Sequence, residues 1–267
     1  MVRWAQSSDS KTSWKSVDVA ALDKDTLELL IRNEIPAVRV RNFATKEECA
    51  ALAASIESVG FDKYENVEPP IGRIGITQFE HGFDRRRYFG SVPNAYAKQY
   101  AAFSVTINPL ERMRSLLGAL LPGPVHVAYE QGIQSAYFAG LLRQINSALL
   151  HVDWAPLDAP GWAIGRVVSQ LAWNLYVRAP DDGGECVVHD RLWTPECQLL
   201  KTPNSYGYSH SLVADVADVH LAPTVGDATI FNSQNFHEVL PGGKPGERLT
   251  VSSFIGVMDD GHYVLWS

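Results

Sequence analysis

The chain has 267 residues, a formal net charge of −7 and a hydrophobic fraction of 46%. This composition predicts one globular domain over residues 1–267, with residues 1–15 as a disordered tail. The acidic balance without a long basic run argues against nucleic acid as a partner. Three cysteines at unrelated spacings, together with the lack of a signal peptide or a long apolar run, favour the cytoplasm and argue against a membrane span.

The N-terminal part of the chain is predicted to form two helices around one strand. Apolar residues at helical spacing predict a helix over 22–33, and alternation predicts a half-buried strand over 35–43. Thr45, with Glu48 three residues later, forms a capping box that opens the next helix, and Gly60 ends that helix.

The next stretch is predicted to contain a loop followed by two more helices. Residues 64–89 read as a loop with short strands, and the Arg85–Arg87 cluster in it fits a solvated face, with an anionic substrate as the alternative. Asn108 followed by Pro109 predicts a helix start, with asparagine as the cap. Apolar residues spaced four apart predict a further helix over 133–149.

Strand patterns dominate the chain after residue 150. Runs rich in β-forming residues are separated by turns rich in glycine and proline, and they cover 167–177, 185–189, 219–223, 227–231, 249–258 and 263–266. Many short antiparallel strands predict an α+β, mainly β fold with a double-stranded β-helix (jelly roll) or barrel core. The N-terminal helices would then flank this core and pack on one sheet from outside.

Three residues in this β-rich part are candidate iron ligands. His151 and Asp153 lie two positions apart, so on a strand their side chains face the same side, and His237 comes from a later strand. Two imidazoles and one carboxylate form the facial triad that binds non-haem Fe(II) and leaves coordination positions open. The His-x-Asp triplet alone is a weak motif, and without the other residues a structural histidine is the simpler interpretation of His151.

The residues that follow His237 strengthen the metal-site interpretation. A loop rich in glycine and proline leads from His237 to Arg248 and Thr250, as one antiparallel hairpin would need to bring a histidine and an arginine into one cavity. Arg248 could form a bidentate pair with a carboxylate, and the Thr250 hydroxyl could add a donor. An arginine without such neighbours would be interpreted as a surface residue.

The chain resembles the Fe(II)/2-oxoglutarate-dependent dioxygenases over roughly residues 35–267. The motifs that carry this resemblance are His151-x-Asp153, Gly183-Gly184-Glu185, Gly226 to Phe231, His237-x-Val239 and Arg248. The resemblance implies Fe(II), 2-oxoglutarate and O2 as cofactor and co-substrates. It also implies that the two histidines and Asp153 bind the metal, and that Arg248 with Thr250 binds 2-oxoglutarate.

A narrower resemblance is to the group that holds the hydroxylases of N-substituted amino acids and the carrier-free halogenases of indole alkaloids. The segments that carry it are Trp162 to Ile164, Ser169 to Leu175, Arg191 to Glu196 and Val264 to Ser267. In those halogenases glycine occupies the carboxylate position of the triad, so Asp153 implies the hydroxylating branch. Trp173 and Asn174 lie mid-strand in this region as candidate cofactor-side residues, and one of them is expected to face the cavity while the other packs against a helix.

Other residues near the predicted site have two interpretations each. Asn235 and Glu238 flank His237 and either orient it or only solvate the loop. The polar and aromatic stretch 204–209 is a candidate lid and equally an ordinary connection.

The sequence supports one main functional hypothesis and two alternatives. The main one is hydroxylation of an unactivated C–H bond in a small molecule, such as an N-acylated amino acid or a secondary metabolite. The same iron site could give desaturation, cyclisation or epimerisation instead, because the outcome depends on the pose of the substrate. A non-catalytic, cupin-like metal-binding or sensor protein is the third hypothesis, although such a protein does not need Arg248 together with Thr250.

Overall fold

Two β-sheets, a two-stranded ribbon and six α-helices form the part of the chain that the computed structural model describes, residues 12–63, 71–82, 84–244 and 246–267. The helices are α1 (Lys24–Ile31), α2 (Lys46–Val59), α3 (Gln78–His81), α4 (Arg85–Phe103), α5 (Pro109–Leu120) and α6 (Ala155–Asp158). The strands are β1 (Ala20–Ala21), β2 (Ala37–Val40), β3 (Asp62–Lys63), β4 (Gly72–Ile74), β5 (Val125–Val127), β6 (Tyr129–Glu130), β7 (Ser135–Ala136), β8 (Leu141–Gln144), β9 (Ala148–His151), β10 (Val167–Arg178), β11 (Cys186–Leu192), β12 (Asp218–Leu221), β13 (Ala228–Asn232), β14 (Asn235–Val239), β15 (Leu249–Met258) and β16 (Tyr263–Trp266).

The two sheets differ in size and share one cavity. The larger sheet has ten strands in the order β1-β2-β13-β10-β15-β8-β4-β3, with β16 paired to β15 and β5 paired to β16. The smaller sheet has the order β12-β11-β14-β9, and β6 and β7 form the separate ribbon. Side chains from both sheets line a single cavity. Residues that are far apart in the sequence therefore meet between the sheets.

The central strand β10 separates this cavity from the core beneath the helices. Leu171, Trp173 and Leu175 belong to a hydrophobic core that includes residues of α1, α2 and α5, whereas Ala172 and Asn174 line the cavity. Successive side chains of a strand point to opposite faces, and a strand that is covered on both faces is apolar along most of its length. The helices therefore pack on the outside of the larger sheet, as the sequence predicted.

Local capping signals marked two helices correctly. The Thr45 hydroxyl accepts a hydrogen bond from the Glu48 amide at 3.1 Å, and the Glu48 carboxylate accepts one from the Thr45 amide at 2.8 Å. The Asn108 side chain accepts a bond from the Glu111 amide at 3.2 Å at the start of α5. These bonds satisfy backbone donors that have no partner within the helix. Gly60 ends α2 at φ +79°, which glycine adopts without a steric cost.

The predicted helix over 133–149 is wrong. This stretch contains β7, β8 and the start of β9, and β8 pairs with both β15 and β4. A spacing of four residues is also a multiple of two, so Tyr137, Leu141 and Ile145 would share a face in either structure. The sheet offers backbone partners on both sides of β8, and Gly140 at φ +84° interrupts a helical path. Tertiary pairing therefore decided the conformation of an ambiguous pattern.

The interval 64–89 matches the predicted loop with short strands only in part. Residues 64–70 and 83 lie outside the described residues, and β4 agrees with the prediction. From Arg85 onward the chain instead forms α4, whose first three residues are the arginine cluster. The polar start of this helix and Pro93 within it obscured the helical periodicity.

The predicted N-terminal tail lies mostly outside the described residues. In its described part Trp14 is buried, and the Thr12 hydroxyl donates a hydrogen bond to Asp190 at 2.8 Å. Among the described helices, none combines the length and the hydropathy that a bilayer span requires.

Candidate functional site

The three predicted iron ligands converge at the edge of the smaller sheet. His151 ends β9, and its cross-strand partner in the antiparallel pair is His237 of β14. Oδ2 of Asp153 lies 3.8 Å from Nε2 of His151 and 3.4 Å from Nε2 of His237. The candidate ligand atoms of the three residues all lie within 4.8 Å of one another. One metal ion could therefore contact all three.

Backbone carbonyls hold both imidazoles in the form that binds a metal. Nδ1–H of His151 donates to the Leu149 carbonyl at 2.7 Å, and Nδ1–H of His237 donates to the Asn235 carbonyl at 2.9 Å. A proton on Nδ1 leaves the lone pair of Nε2 free, and in both residues Nε2 is the atom nearest Asp153.

The electrostatics of the triad favour neutral imidazole and ionised carboxylate. Burial, and then the neighbouring His237, lowers the pKa of His151 to about 4. Burial opposes ionisation of Asp153, but contact with His237 and the charge of His151 outweigh it and lower the pKa of Asp153 to about 2. A neutral imidazole and a carboxylate are the forms that coordinate a metal at neutral pH.

Arg248 reaches the same cavity from the larger sheet. It directly precedes β15 and is 3% exposed, and its Nε–H donates to the Gly184 carbonyl at 3.0 Å. Its guanidinium lies 5.4 Å from the centre of the Tyr176 ring. The predicted hairpin between His237 and Arg248 is wrong, because β14 belongs to the smaller sheet and β15 to the larger one. The cavity, and not a hairpin, brings the two residues together.

A buried hydroxyl and a second arginine lie close to Arg248 in the larger sheet. Thr250 lies on the same face of β15, and its buried Oγ1 has no hydrogen-bond partner in the described part of the chain. Arg143 is the cross-strand neighbour of Thr250, and its guanidinium donates to Oδ1 of Asn174 at 3.1 Å. Among the described residues no carboxylate forms an ion pair with Arg248 or Arg143. Two cations and an unsatisfied hydroxyl fit the carboxylates of a 2-oxo acid.

Trp173 and Asn174 have different places, as expected for neighbours on a strand. Asn174 lines the cavity and bonds to Arg143. Trp173 is fully buried in the core beneath the helices, with its ring centre 6.3 Å from that of Phe43. The geometry therefore gives Trp173 no contact with a cofactor in this cavity.

The candidate lid contributes two aromatic side chains to the cavity wall. Tyr206 and Tyr208 are lining residues, and the Tyr206 hydroxyl accepts a hydrogen bond from the Leu149 amide at 2.9 Å. The Tyr206 ring meets the His151 ring edge-on at 5.6 Å. The cavity has a volume of about 170 Å³, which is large enough for small organic molecules. The segment therefore forms part of the cavity wall beside His151.

The residues that flank His237 act in different ways. Asn235 orients His237 through its backbone carbonyl, while its side chain donates to Asn33 at 2.6 Å. The Glu238 carboxylate contacts His189 at 3.3 Å and His210 at 3.0 Å, on the other side of β14 from His237. Orientation of His237 therefore comes from Asn235 and not from Glu238.

Three charged lining residues were not identified from the sequence. Arg143 lies in the stretch that was misassigned as a helix, and strand alternation would have placed it on one face with Leu141. Asp158 in α6 and Lys201 in the connection after β11 also line the cavity. No local motif distinguishes these two residues from surface charges.

Comparisons with known proteins assign the chain to a family. The family model for the carrier-protein-independent halogenase WelO5 matches residues 13–267. The chain is 40% identical over 217 residues to the leucinostatins biosynthesis cluster protein S of Purpureocillium lilacinum, which covers 76% of this chain and 88% of that protein. It is 28% identical over 268 aligned positions to the L-gamma-glutamyl-L-propargylglycine hydroxylase of Streptantibioticus cattleyicolor, covering 96% and 97% of the two chains. The crystal structure of an N-substituted L-amino acid dioxygenase from Burkholderia ambifaria is similar in fold, with a TM-score of 0.62, 17% identity and 91% coverage of both chains.

Proposed function

The chain belongs to the carrier-protein-independent halogenase WelO5 family, within the Fe(II)/2-oxoglutarate-dependent dioxygenase superfamily, and from this premise we propose that it hydroxylates an unactivated C–H bond of a small molecule. One observation carries the proposal. The Asp153 carboxylate lies 3.4 Å from Nε2 of His237 and 3.8 Å from Nε2 of His151. In the halogenases of the group that this chain resembles, halide takes the position of this carboxylate. Membership of an enzyme family leaves the non-catalytic hypothesis without support.

The residues of the cavity fit both groups that this chemistry requires. His151, Asp153 and His237 would hold Fe(II), because two nitrogen lone pairs and a carboxylate face one another there. Arg248 and the unsatisfied Thr250 hydroxyl would hold the distal carboxylate of 2-oxoglutarate. Fe(II), 2-oxoglutarate and O2 supply the oxidising chemistry, and 2-oxoglutarate leaves as succinate and carbon dioxide.

Arg143 would bind 2-oxoglutarate at its other end. Burial is the main cause that lowers the pKa of His151 and of Arg248, and the positive charge of Arg143 lowers both further, so this charge acts on both the triad and the arginine site. Asn174 fixes its guanidinium through the bond at 3.1 Å. Arg143 would therefore neutralise the 1-carboxylate of 2-oxoglutarate, with Asn174 as its positioning residue.

Aromatic side chains pack against both histidines of the triad. Phe231 packs edge-on against His237 with ring centres 4.9 Å apart, and Tyr206 packs in the same way against His151. These contacts restrain the orientation of both imidazole rings. The facing sheets of ten and four strands support the double-stranded β-helix that the resemblance implies.

An amino-acid derivative is the substrate class that the relatives favour. The hydroxylase from Streptantibioticus cattleyicolor acts, by its name, on a γ-glutamyl amino acid. The cavity combines apolar residues, such as Leu157 and Val239, with the charged residues described above. Such a lining suits a molecule with an aliphatic side chain and a polar head.

The proposal is tested by anaerobic spectroscopy followed by turnover. Wild-type protein with Fe(II) and 2-oxoglutarate should show the weak visible charge-transfer band of the chelate. A panel of free and N-substituted amino acids, with apolar alkaloids for comparison, is then screened for succinate formation and product mass. A gain of one oxygen supports hydroxylation, whereas a loss of two hydrogens would redirect the proposal to desaturation.

A variant pair shows whether the activity belongs to this site. Asp153→Ala should abolish the stimulated formation of succinate, while Asp259→Ala, at an exposed ion pair with Arg166, should not change it. Absence of the charge-transfer band from the wild-type protein would refute the proposed function.

A further inference from the structure

A second set of charged residues lines the cavity apart from the triad and the arginine site. Asp158 ends α6, and among the described residues its Oδ2 accepts only a long hydrogen bond of 3.4 Å from the Trp154 amide. No cationic side chain within the described residues forms an ion pair with it. Burial, and then the charge of Asp153, raises the pKa of Asp158 to about 7. A carboxylate in this position lacks the partner that its charge requires.

Lys201 supplies the opposite charge at the same part of the cavity. Its Nζ lies 5.6 Å from the centre of the Tyr208 ring, and an isolated β-bridge joins the two residues. Its charge favours ionisation of Asp158, yet the two do not form an ion pair. Two complementary charges thus line one small cavity without neutralising each other by contact.

The arrangement fits a ligand that carries both charges. An ammonium group beside Asp158 would neutralise the carboxylate, which an amide N–H cannot do. A carboxylate beside Lys201 would complete the pair. Phe79 and Leu157 line the same cavity and provide apolar contacts for an aliphatic side chain.

We propose that Asp158 and Lys201 form the substrate-recognition subsite, in which Asp158 binds an ammonium nitrogen and Lys201 binds a carboxylate. The substrate is therefore a zwitterionic amino-acid unit with a free amino group, and not an N-acylated amino acid. This inference rests on the proposed function, because the subsite belongs to the same cavity as the iron triad. The inference restricts the substrate class through the two charges of the ligand.

Three matched probes separate the two charges. L-leucine carries both, N-acetyl-L-leucine lacks the positive charge, and L-leucinamide lacks the negative one. Binding is measured anaerobically by calorimetry to protein loaded with Fe(II) and 2-oxoglutarate, so the readout does not depend on turnover. The wild-type protein is expected to bind L-leucine about 100-fold more tightly than N-acetyl-L-leucine, because Asp158 is largely desolvated.

Each variant should remove one preference and keep the other. Asp158→Asn should bind L-leucine and N-acetyl-L-leucine within about threefold of each other, because the ammonium no longer meets a charge. Lys201→Gln should lose the preference over L-leucinamide, an effect of about fivefold because Lys201 is exposed. Arg166→Gln, which removes an exposed arginine outside the cavity, should bind like the wild type.

The outcomes distinguish the subsite from the proposed function. Tighter binding of N-acetyl-L-leucine by the wild type, equal losses for all three probes in Asp158→Asn, or no binding of L-leucine would each overturn the subsite. Lys201→Gln changes an exposed side chain, so it tests the inference even if Asp158→Asn is poorly folded. If one of these outcomes is found together with a normal charge-transfer band, the subsite is refuted but the proposed function is not. Absence of the band would refute the proposed function itself.

Discussion

Substitution of Arg248 by glutamine should weaken binding of 2-oxoglutarate through one end of the molecule. Arg248 is 3% exposed, so water cannot replace its charge at a bound carboxylate. Truncation of one partner in a buried charge pair costs about 3 kcal/mol, and the loss here is moderated because the Thr250 hydroxyl remains at the same carboxylate. Since 1.4 kcal/mol corresponds to a tenfold change, the Kd of 2-oxoglutarate should rise about 100-fold.

A truncated 2-oxo acid shows which end of the ligand Arg248 binds. 2-Oxopentanoate keeps the chelating 2-oxo acid group but lacks the distal carboxylate, and its Kd should change less than about threefold in Arg248→Gln. Thr250→Val removes one neutral hydroxyl and should cost about tenfold or less, for 2-oxoglutarate only. Both ligands are titrated anaerobically into the Fe(II) protein through the charge-transfer band.

Arg143 is predicted to bind the other end of 2-oxoglutarate, so its substitution should affect both ligands. Arg143→Gln should weaken both 2-oxo acids by a similar factor, because they share the 1-carboxylate. Arg166→Gln serves as the matched control, since its partner Asp259 lies at an exposed site. An unchanged affinity for 2-oxoglutarate in Arg248→Gln, or equal losses for both ligands in that variant, would refute the assignment of Arg248 to the distal carboxylate.

Three further predictions concern the triad, a cap and the backbone. Asp153→Gly should open a position for halide on the iron, and hydroxylated product alone in bromide buffer, without halide binding, would show that the ligand exchange is insufficient. Arg112 holds the pKa of Glu48 at about 2, so the stability from this carboxylate is complete above pH 4.5 and is lost as the pH falls through 2. The urea midpoints of Glu48→Gln and wild type should therefore differ at pH 7 and converge near pH 2. Gly226→Ala should lower the melting temperature, because the added Cβ would lie 2.4 Å from a backbone oxygen at a residue with φ +88°. Gly118→Ala, on the exposed face of α5, should instead stabilise the protein by about 0.5–1 kcal/mol. Shifts of the melting temperature with the same sign in both variants would contradict this reasoning.

Local sequence signals sufficed for several elements and for two of the three candidate metal ligands, whereas His237 reaches them only through the pairing of β14 with β9. In any extended chain, residues two apart such as His151 and Asp153 have side chains on the same side. Imidazole and carboxylate as ligand types restrict the metals that such a site could bind. The caps at Thr45 and Asn108 involve only neighbours within three residues, so their bonds could be predicted without the fold. The resemblance added 2-oxoglutarate, which no spacing in this chain could identify.

Tertiary structure decided every feature that depends on a partner distant in sequence. Within residues 133–149, β8 forms a strand because the larger sheet provides backbone hydrogen bonds on both of its sides, and the ambiguous periodicity of the sequence does not predict these partners. Arg248 and His237 line one cavity although they come from different sheets. Trp173 packs in the hydrophobic core, whereas the neighbouring Asn174 accepts a hydrogen bond from Arg143. Binding chemistry depends on which charges remain unpaired after packing, and pairing is a property of the folded chain as a whole.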